Sequence, residues 1–183
     1  MQQRRRNLHA ASLDIVLDVT RIVPITPELV SDYKAVRLRA LKDSPASFGS
    51  TFAGESQLTD EQWHTRTARL IQGRDTGFFA MEDGNYAGLA LCFTLPDDPR
   101  KAELISMWVA PEYRRRGVGR LLIDTVMAWA AERGIKTLVL MVTGVNHAGI
   151  EFYRKLGFTE TGHTEPYPND STILEYEMSK QIF

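Results

Sequence analysis

The sequence predicts a mixed α/β domain built on one sheet of about seven strands, flanked by about four helices. Three observations carry that prediction. The chain has 183 residues, enough for one sizeable core and too few for two ordinary domains. Hydrophobic residues make up 43% and charged residues 25%, a globular balance. Short apolar runs alternate with segments of helical period, in the order strand, two helices, three strands, helix, strand, helix, two strands.

Residues 1–15 read as an extension outside the fold and residues 16–183 as one domain. Residues 16–23 are rich in β-branched and apolar side chains, which predicts the first strand. Thr26-Pro27-Glu28 supplies a capping hydroxyl, a proline at the first helical position and an acid in the first turn. Leu29, Tyr33, Val36 and Ala40 recur at helical spacing, so this helix runs to about Lys42. Ser, Pro and Gly mark residues 43–51 as a loop. Thr59 with Gln62 forms a capping-box pattern that opens a second helix through Trp63, Ala68, Leu70 and Ile71. Residues 77–81 and 86–95 are paired strands around the turn Asp83-Gly84-Asn85. After a break at 96–99, residues 102–109 form a further strand. A helix starts near Gly117, buries Leu121, Leu122, Val126, Trp129 and Ala130, and ends at Arg133-Gly134. Residues 137–142 are a buried strand and 146–156 a shorter helix. Residues 158–163 and 173–178 are two closing strands around a loop at 164–171.

The formal net charge of −1 lacks the basic excess usual for a nucleic-acid binder, so no nucleic-acid partner is expected. Cys92, the only cysteine, lies in an apolar run and is expected to be a small core residue. The four histidines (His9, His64, His147, His163) show no metal-ligand spacing, so no metal is expected. No apolar stretch approaches the ~20 residues of a membrane span. Arg4, Arg5 and Arg6 suit the basic start of a signal peptide, but His9 and Asp14 interrupt the apolar region that should follow. A cytoplasmic protein without a membrane partner, monomeric or homodimeric, is the expectation.

The chemistry concentrates at Arg114-Arg115-Arg116-Gly117-Val118-Gly119-Arg120, between a strand and a helix. The first N–H groups of a helix lack partners inside it and carry the positive end of its dipole, which makes an anion site. Gly117 and Gly119 let an anion approach the backbone, and the four arginines add positive charge. Alone, the segment is also compatible with a solvated basic turn. A dinucleotide motif fails because Leu122 stands where its third glycine belongs, and no Gly-Lys-Ser/Thr follows for a Walker loop.

The run Val109-Ala-Pro-Glu-Tyr-Arg114-Arg-Arg-Gly117-Val-Gly119-Arg-Leu-Leu122 resembles the hallmark of the GNAT superfamily of acyl-CoA N-acyltransferases, Arg or Gln, two residues, Gly, one residue, Gly or Ala. A second block, Asn146-His-Ala-Gly149-Ile-Glu-Phe-Tyr153-Arg-Lys-Leu-Gly157-Phe158, resembles the same family. The likeness runs from about Gly77 to the end, with Gly149 standing where the family more often has alanine. It implies a centrally splayed sheet, acetyl-CoA as co-substrate, and transfer of its acetyl group to an amine. The pyrophosphate would then lie on Arg114, Arg115, Arg116, Gly117, Val118, Gly119 and Arg120, with Asn146 as a cap or a contact to the CoA arm. Backbone N–H groups of Met107, Trp108 and Val109 would face the oxyanion.

An amine of unperturbed pKa ~10.4 must lose a proton before it attacks, and the thiolate must leave. The resemblance points to Glu103 as base and Tyr153 as acid. Glu103 also suits a surface carboxylate, and Tyr153 also suits helix packing. The loops at 44–51 and 164–171 would shape the acceptor pocket, with Phe48 and Tyr167 as walls or as core aromatics. A small-molecule amine is the expected acceptor. A protein or peptide N-terminus is the alternative, and a non-catalytic acyl-CoA-binding module stands as a third reading.

Overall fold

The computed structural model describes residues 19–183. The extension at 1–15 and the first residues of the predicted opening strand, 16–18, lie outside them. The strands are β1 (Arg21–Pro24), β2 (Asp75–Glu82), β3 (Asn85–Thr94), β4 (Lys101–Val109), β5 (Thr137–Thr143), β6 (Thr159–Tyr167) and β7 (Asp170–Gln181). The α-helices are α1 (Val30–Asp43), α2 (Phe52–Glu55), α3 (Asp60–Arg69), α4 (Val118–Glu132) and α5 (His147–Lys155). The described strands form one sheet in the order β1-β2-β3-β4-β5-β7-β6. This is the mixed α/β sheet that the order of apolar segments predicts.

Every neighbouring pair is antiparallel except β4 and β5. These two are joined only from Lys101↔Thr137 to Glu103↔Val139. Beyond Glu103 no ladder connects them, although β4 continues to Val109 and β5 to Thr143. β5 stays fully paired to β7 on its other side, so the gap opens towards β4. Backbone groups on the facing edges are thereby left for water or a ligand. Ser106 helps to part the strands: it adopts φ 55°, next to a register shift between Leu89 and Leu91 on β3.

Each face of the sheet has its own core, as alternation along strands requires. Ala102 and Leu104 of β4, with Leu138, Leu140 and Val142 of β5, pack under Leu122, Ile123, Val126 and Ala130 of α4. On the other face Leu89, Leu91 and Trp108 pack under Tyr33, Val36, Ala40 and Leu41 of α1 and Trp63 of α3. Thr59 accepts from the Gln62 N–H at 3.2 Å while Gln62 Oε1 accepts from the Thr59 N–H at 2.8 Å, the reciprocal cap its spacing predicts. α4 ends as predicted, with Gly134 at φ 73° after Arg133.

Two expectations need correction. Thr26 makes no side-chain bond to the helix backbone: Pro27–Leu29 is a 3-10 turn, and α1 proper begins at Val30. The loop expected at 164–171 is mostly strand, because β6 and β7 form one long hairpin turning at Pro168-Asn169. Its outer strand is exposed from Thr159 to Pro166, so it lacks the apolar alternation that marks a half-buried strand. Gly162, at φ 90° inside a register shift between Glu160 and Thr164, mimics a strand end in the sequence. The same irregularity, with Pro166, blunts an edge that would otherwise offer free pairing groups.

Candidate active site

The gap between β4 and β5 opens into a groove of about 470 Å³. Its far wall is α5, and the start of α4 forms its floor. Of the residues singled out by sequence, Met107, Trp108, Val109, Arg114, Arg115, Gly117, Gly119, Arg120, Asn146 and Tyr153 all line it. They come from the end of β4 and from two motif blocks separated by the rest of α4 and by β5. Ser44 and Ser47, from the loop expected on the acceptor side, also line it, as do Met141, Thr143 and Phe152, which sequence reasoning did not single out.

Gly117 is the cap of α4 and adopts φ 88°, a left-handed conformation that strains any residue with a Cβ. Arg115 precedes it at φ 63°. No side chain caps this helix start, and the first bond closing on Gly117 comes from the Leu121 N–H, at 3.0 Å. The N–H groups of Val118, Gly119 and Arg120 are therefore outside the helix ladder, at its positive end. The Val118 side chain is in the core, so its contribution here is its backbone. Gly119 has a packing reason to be glycine. A Cβ there would stand 3.0 Å from Phe152 Cζ and 3.3 Å from Met107 Cε.

The arginines divide. Arg115 and Arg120 border the groove, and Arg120 Nε lies 3.4 Å from Asp124. Arg116 turns away: it pairs at 2.8 Å with Glu82 on β2 and stacks over Tyr113, so it lines no part of the groove. Arg114 donates through Nε to the Val109 carbonyl at 2.9 Å and through Nη2 to Asp43. Asp43, the last residue of α1, also accepts from Trp108 Nε1 at 2.9 Å and from the Ser44 hydroxyl at 2.6 Å. Burial pushes its carboxyl up, but the bonds from Ser44, Trp108 and Arg114 outweigh that and hold it below the usual carboxylate range. Asp43 thus ties α1, the end of β4 and the anion turn together.

Asn146 caps α5. Its Oδ1 accepts from the Gly149 N–H at 2.9 Å, while its Nδ2 donates to Ser47 Oγ at 3.2 Å across the groove. Gly149, the departure from the family pattern, fits this cap: a Cβ there would lie 2.6 Å from Asn146 Nδ2. Tyr153 is half-buried against Phe152 and Phe158, with ring centroids 5.4 Å and 5.7 Å away. Burial pushes its phenol up, so it stays protonated across the neutral range and is available as a donor.

Besides Arg116, three predicted residues lie elsewhere. Glu103 sits at the closed end of the gap, paired with Phe93 and Val139, and does not line the groove. Burial, then the carboxylates of Glu165, Glu175 and Glu177, raise its pKa. Phe48 is in the core, with the Arg37 guanidinium 4.6 Å from its ring centroid. Tyr167, only 5% exposed, donates its hydroxyl to the carbonyls of Pro45 and Phe48 at 3.0 and 2.8 Å. It pins the β6–β7 hairpin to the segment before α2. Neither aromatic lines the groove. Among the described residues no cluster of three or more His, Cys, Asp or Glu is placed to hold a metal, and no helix is long and apolar enough to cross a membrane.

Comparison with known proteins agrees with this geometry. A model of the acetyltransferase (GNAT) family matches residues 38–158. The chain is 34% identical over 99 residues to a [ribosomal protein bS18]-alanine N-acetyltransferase of Escherichia coli strain K12, covering 54% of this chain and 65% of that one. It is 30% identical over 165 residues to a mycothiol acetyltransferase of Rhodococcus erythropolis, covering 85% of this chain and 52% of that one. The chain therefore spans about half to two thirds of the length of these relatives. In fold it resembles an N-acetyltransferase from Thermoplasma acidophilum solved in complex with coenzyme A. There the TM-score is 0.72 at 19% identity, over 89% of this chain and 99% of that one. Both motif blocks fall within the matched family span, and the overall fold is similar to that neighbour's; the chain belongs to the acetyltransferase (GNAT) family.

Proposed function

We propose that this protein transfers the acetyl group of acetyl-CoA to a primary amine of a small molecule, by direct attack while both substrates are bound. The observation that carries the reading is the uncapped start of α4 opening into the gap between β4 and β5. A pyrophosphate there meets unpaired N–H groups, with Arg115 and Arg120 beside them. The pantetheine arm follows the gap and pairs with strand edges that have no ladder partner. This directs the thioester to Met107–Val109, whose backbone N–H groups are fixed before charge develops on the carbonyl oxygen.

The amine nitrogen attacks the thioester carbon, the oxyanion collapses, and the C–S bond breaks. Glu103, with its raised pKa, takes the amine proton, through water because it lies at the end of the gap. Tyr153 donates a hydrogen bond to the departing sulfur. A thiol has an unperturbed pKa of ~8.5, so a phenol raised above 10 steadies the thiolate more than it protonates it. The test is release of free CoA thiol from acetyl-CoA over a panel of amines. Acceptor-dependent release supports the reading. Tight binding of acetyl-CoA with no release by any amine would instead support a non-catalytic acyl-CoA-binding module.

The likeness to the bS18-alanine enzyme favours a second reading, acetylation of a protein or peptide N-terminus. Short peptides with free and blocked N-termini separate the two: preference for free peptides over single amines would establish the second.

A further inference from the structure

Behind β4 lies a second cavity, of about 240 Å³, bounded by α1, α3 and the face of β3 and β4 opposite α4. It shares its wall with the groove. Ser106 borders the cavity, and Met107, the next residue, borders the groove. The segment before α2 serves both sides too, with Ser44 and Ser47 on the groove and Ser50 on the cavity.

Three guanidinium groups meet here, from Arg37, Arg66 and Arg69. Two carboxylates oppose them. Glu55 takes Arg37 at 2.9 Å and Arg66 at 3.3 Å, and Asp75 takes Arg69 at 3.1 Å. Three cations against two anions leave one positive charge in excess. Arg37 is only 5% exposed, and its Nη1 has no hydrogen-bond partner among the described residues. A buried donor left unpaired is costly, and a buried cation needs more than one partner to offset its lost hydration. The hydroxyls of Tyr33 and Ser106 border the same space, while the Ser50 hydroxyl is taken up by Arg37 and Glu55. Glu55 holds Nε and Nη2 of Arg37, so Nη1 is the donor left for a small anion such as a carboxylate, with Arg66 and Arg69 beside it.

The same face of the sheet turns negative a short way along. Glu103 lies directly across from Phe93 and two residues from Ile105, both of which line the cavity. Towards β7 the carboxylates of Glu165, Glu175 and Glu177 act on Glu103. Glu177 and Glu175 are cross-strand partners of Met141 and Thr143, which line the groove. A positive pocket and a negative wall therefore flank the place where the acceptor must sit.

We infer that the acceptor is a small zwitterion, an amino acid or close analogue, whose carboxylate binds the Arg37 cavity and whose amine faces the Glu103 side beside the gap. This rests on the acetyltransferase reading above and narrows its acceptor. The carboxylate completes the unfilled donor of Arg37 and balances the excess charge. The amine, held as a cation by the acidic wall, reaches the thioester only after Glu103 takes its proton.

The experiment measures CoA thiol release with the common amino acids, β-alanine and 4-aminobutyrate, each against its methyl ester and its decarboxylated amine. One or more acids should be turned over with a kcat/KM roughly tenfold or more above that of its ester, as expected when a site built for a charged group meets a ligand lacking it. Arg66→Gln and Arg69→Gln, at half-exposed positions, should raise KM for the acid more than for the ester, narrowing that gap. Arg37→Lys keeps the charge but loses Nη1 and one bond to Glu55, and should narrow the acid-to-ester ratio whatever it does to the melting temperature. A merely structural pair would lower the melting temperature and affect acid and ester alike. Esters or decarboxylated amines turned over as well as the acids would overturn the inference and leave the acetyltransferase reading standing. Release with no amine of any class would overturn both.

Discussion

Gly149→Ala sets two opposed effects of similar size against each other at one position. Alanine in a helix is favoured over glycine by about 0.8–1.0 kcal/mol. The new Cβ, however, would stand 2.6 Å from Asn146 Nδ2 and 2.9 Å from its Cγ, so the Asn146 side chain must swing away. That breaks the bond from the Gly149 N–H to Oδ1 and the bond from Nδ2 to Ser47. Loss of an asparagine cap costs about 1 kcal/mol. The two cancel, and the substitution should leave stability within about 0.5 kcal/mol of the parent. In an Asn146→Ala background the clash is gone, so the same change should stabilise by nearly the full 0.8–1.0 kcal/mol. The coupling between the two sites is then about 1 kcal/mol, or roughly 2–4 °C in Tm for a chain of this size. Urea denaturation of the four proteins of the cycle measures it. If Gly149→Ala stabilises the parent as much as it stabilises Asn146→Ala, glycine is not there to admit the cap.

Further tests follow from the groove and its surroundings. Gly119→Glu brings a Cβ against Phe152 and a negative charge to the anion turn, and should abolish acetyl-CoA binding in calorimetry; retained affinity would remove the start of α4 from the site. Tyr153→Phe should lower kcat while CoA affinity holds, and an unchanged kcat would take the phenol out of the mechanism. If Glu103 is the base it must be ionised, so kcat/KM should rise with pH through a pKa above the ordinary ~4.3. Glu177→Gln removes a like charge and should move that limb to lower pH, whereas a limb unmoved in both Glu177→Gln and Glu103→Gln points to another base. The raised Glu103 pKa also means that stability falls as pH climbs from the unfolded value to the folded one, a loss that Glu103→Gln should reduce in pH-dependent melting, the part due to Glu175 remaining. Burial, then the charges of Asp75 and Glu103, push the Cys92 thiol up to about 12, so alkylating reagents should label it only at the rate of unfolding.

The legible parts of this protein are those where local chemistry decides structure. Gly117 sits at positive φ, and Thr59 and Gln62 form their reciprocal bonds, because both requirements arise within a few residues. Buried strands such as β5 also announce themselves, through apolar side chains on both faces. The edge strand β6 does not, because nothing covers it and its residues answer to solvent. The same limit explains the arginines. Arg114, Arg115 and Arg116 are neighbours in one basic run, yet one is tied to Asp43, one borders the groove and one is held on Glu82. Which way each turns depends on carboxylates from α1 and β2. Tyr167 was readable as an aromatic near the acceptor side but not as a hydroxyl clamp on Pro45 and Phe48, since those carbonyls arrive from the far end of the chain.

Net charge misleads for a related reason. A formal balance of −1 over the whole chain describes its total charge, but it says nothing about fields a few ångströms wide. The fold sorts near-equal numbers of cations and anions into separate places. Unpaired N–H groups and arginines gather at the start of α4, Arg37, Arg66 and Arg69 line a cavity behind β4, and Glu165, Glu175 and Glu177 bear on Glu103. The last group forms only because β7 inserts between β5 and β6, placing residues near the end of the chain beside a strand laid down much earlier. A ligand with one positive and one negative end feels that separation even though the total does not. If the acceptor is a zwitterion, its recognition depends on tertiary placement: arginines of α1 and α3 on one side and carboxylates brought by β6 and β7 on the other.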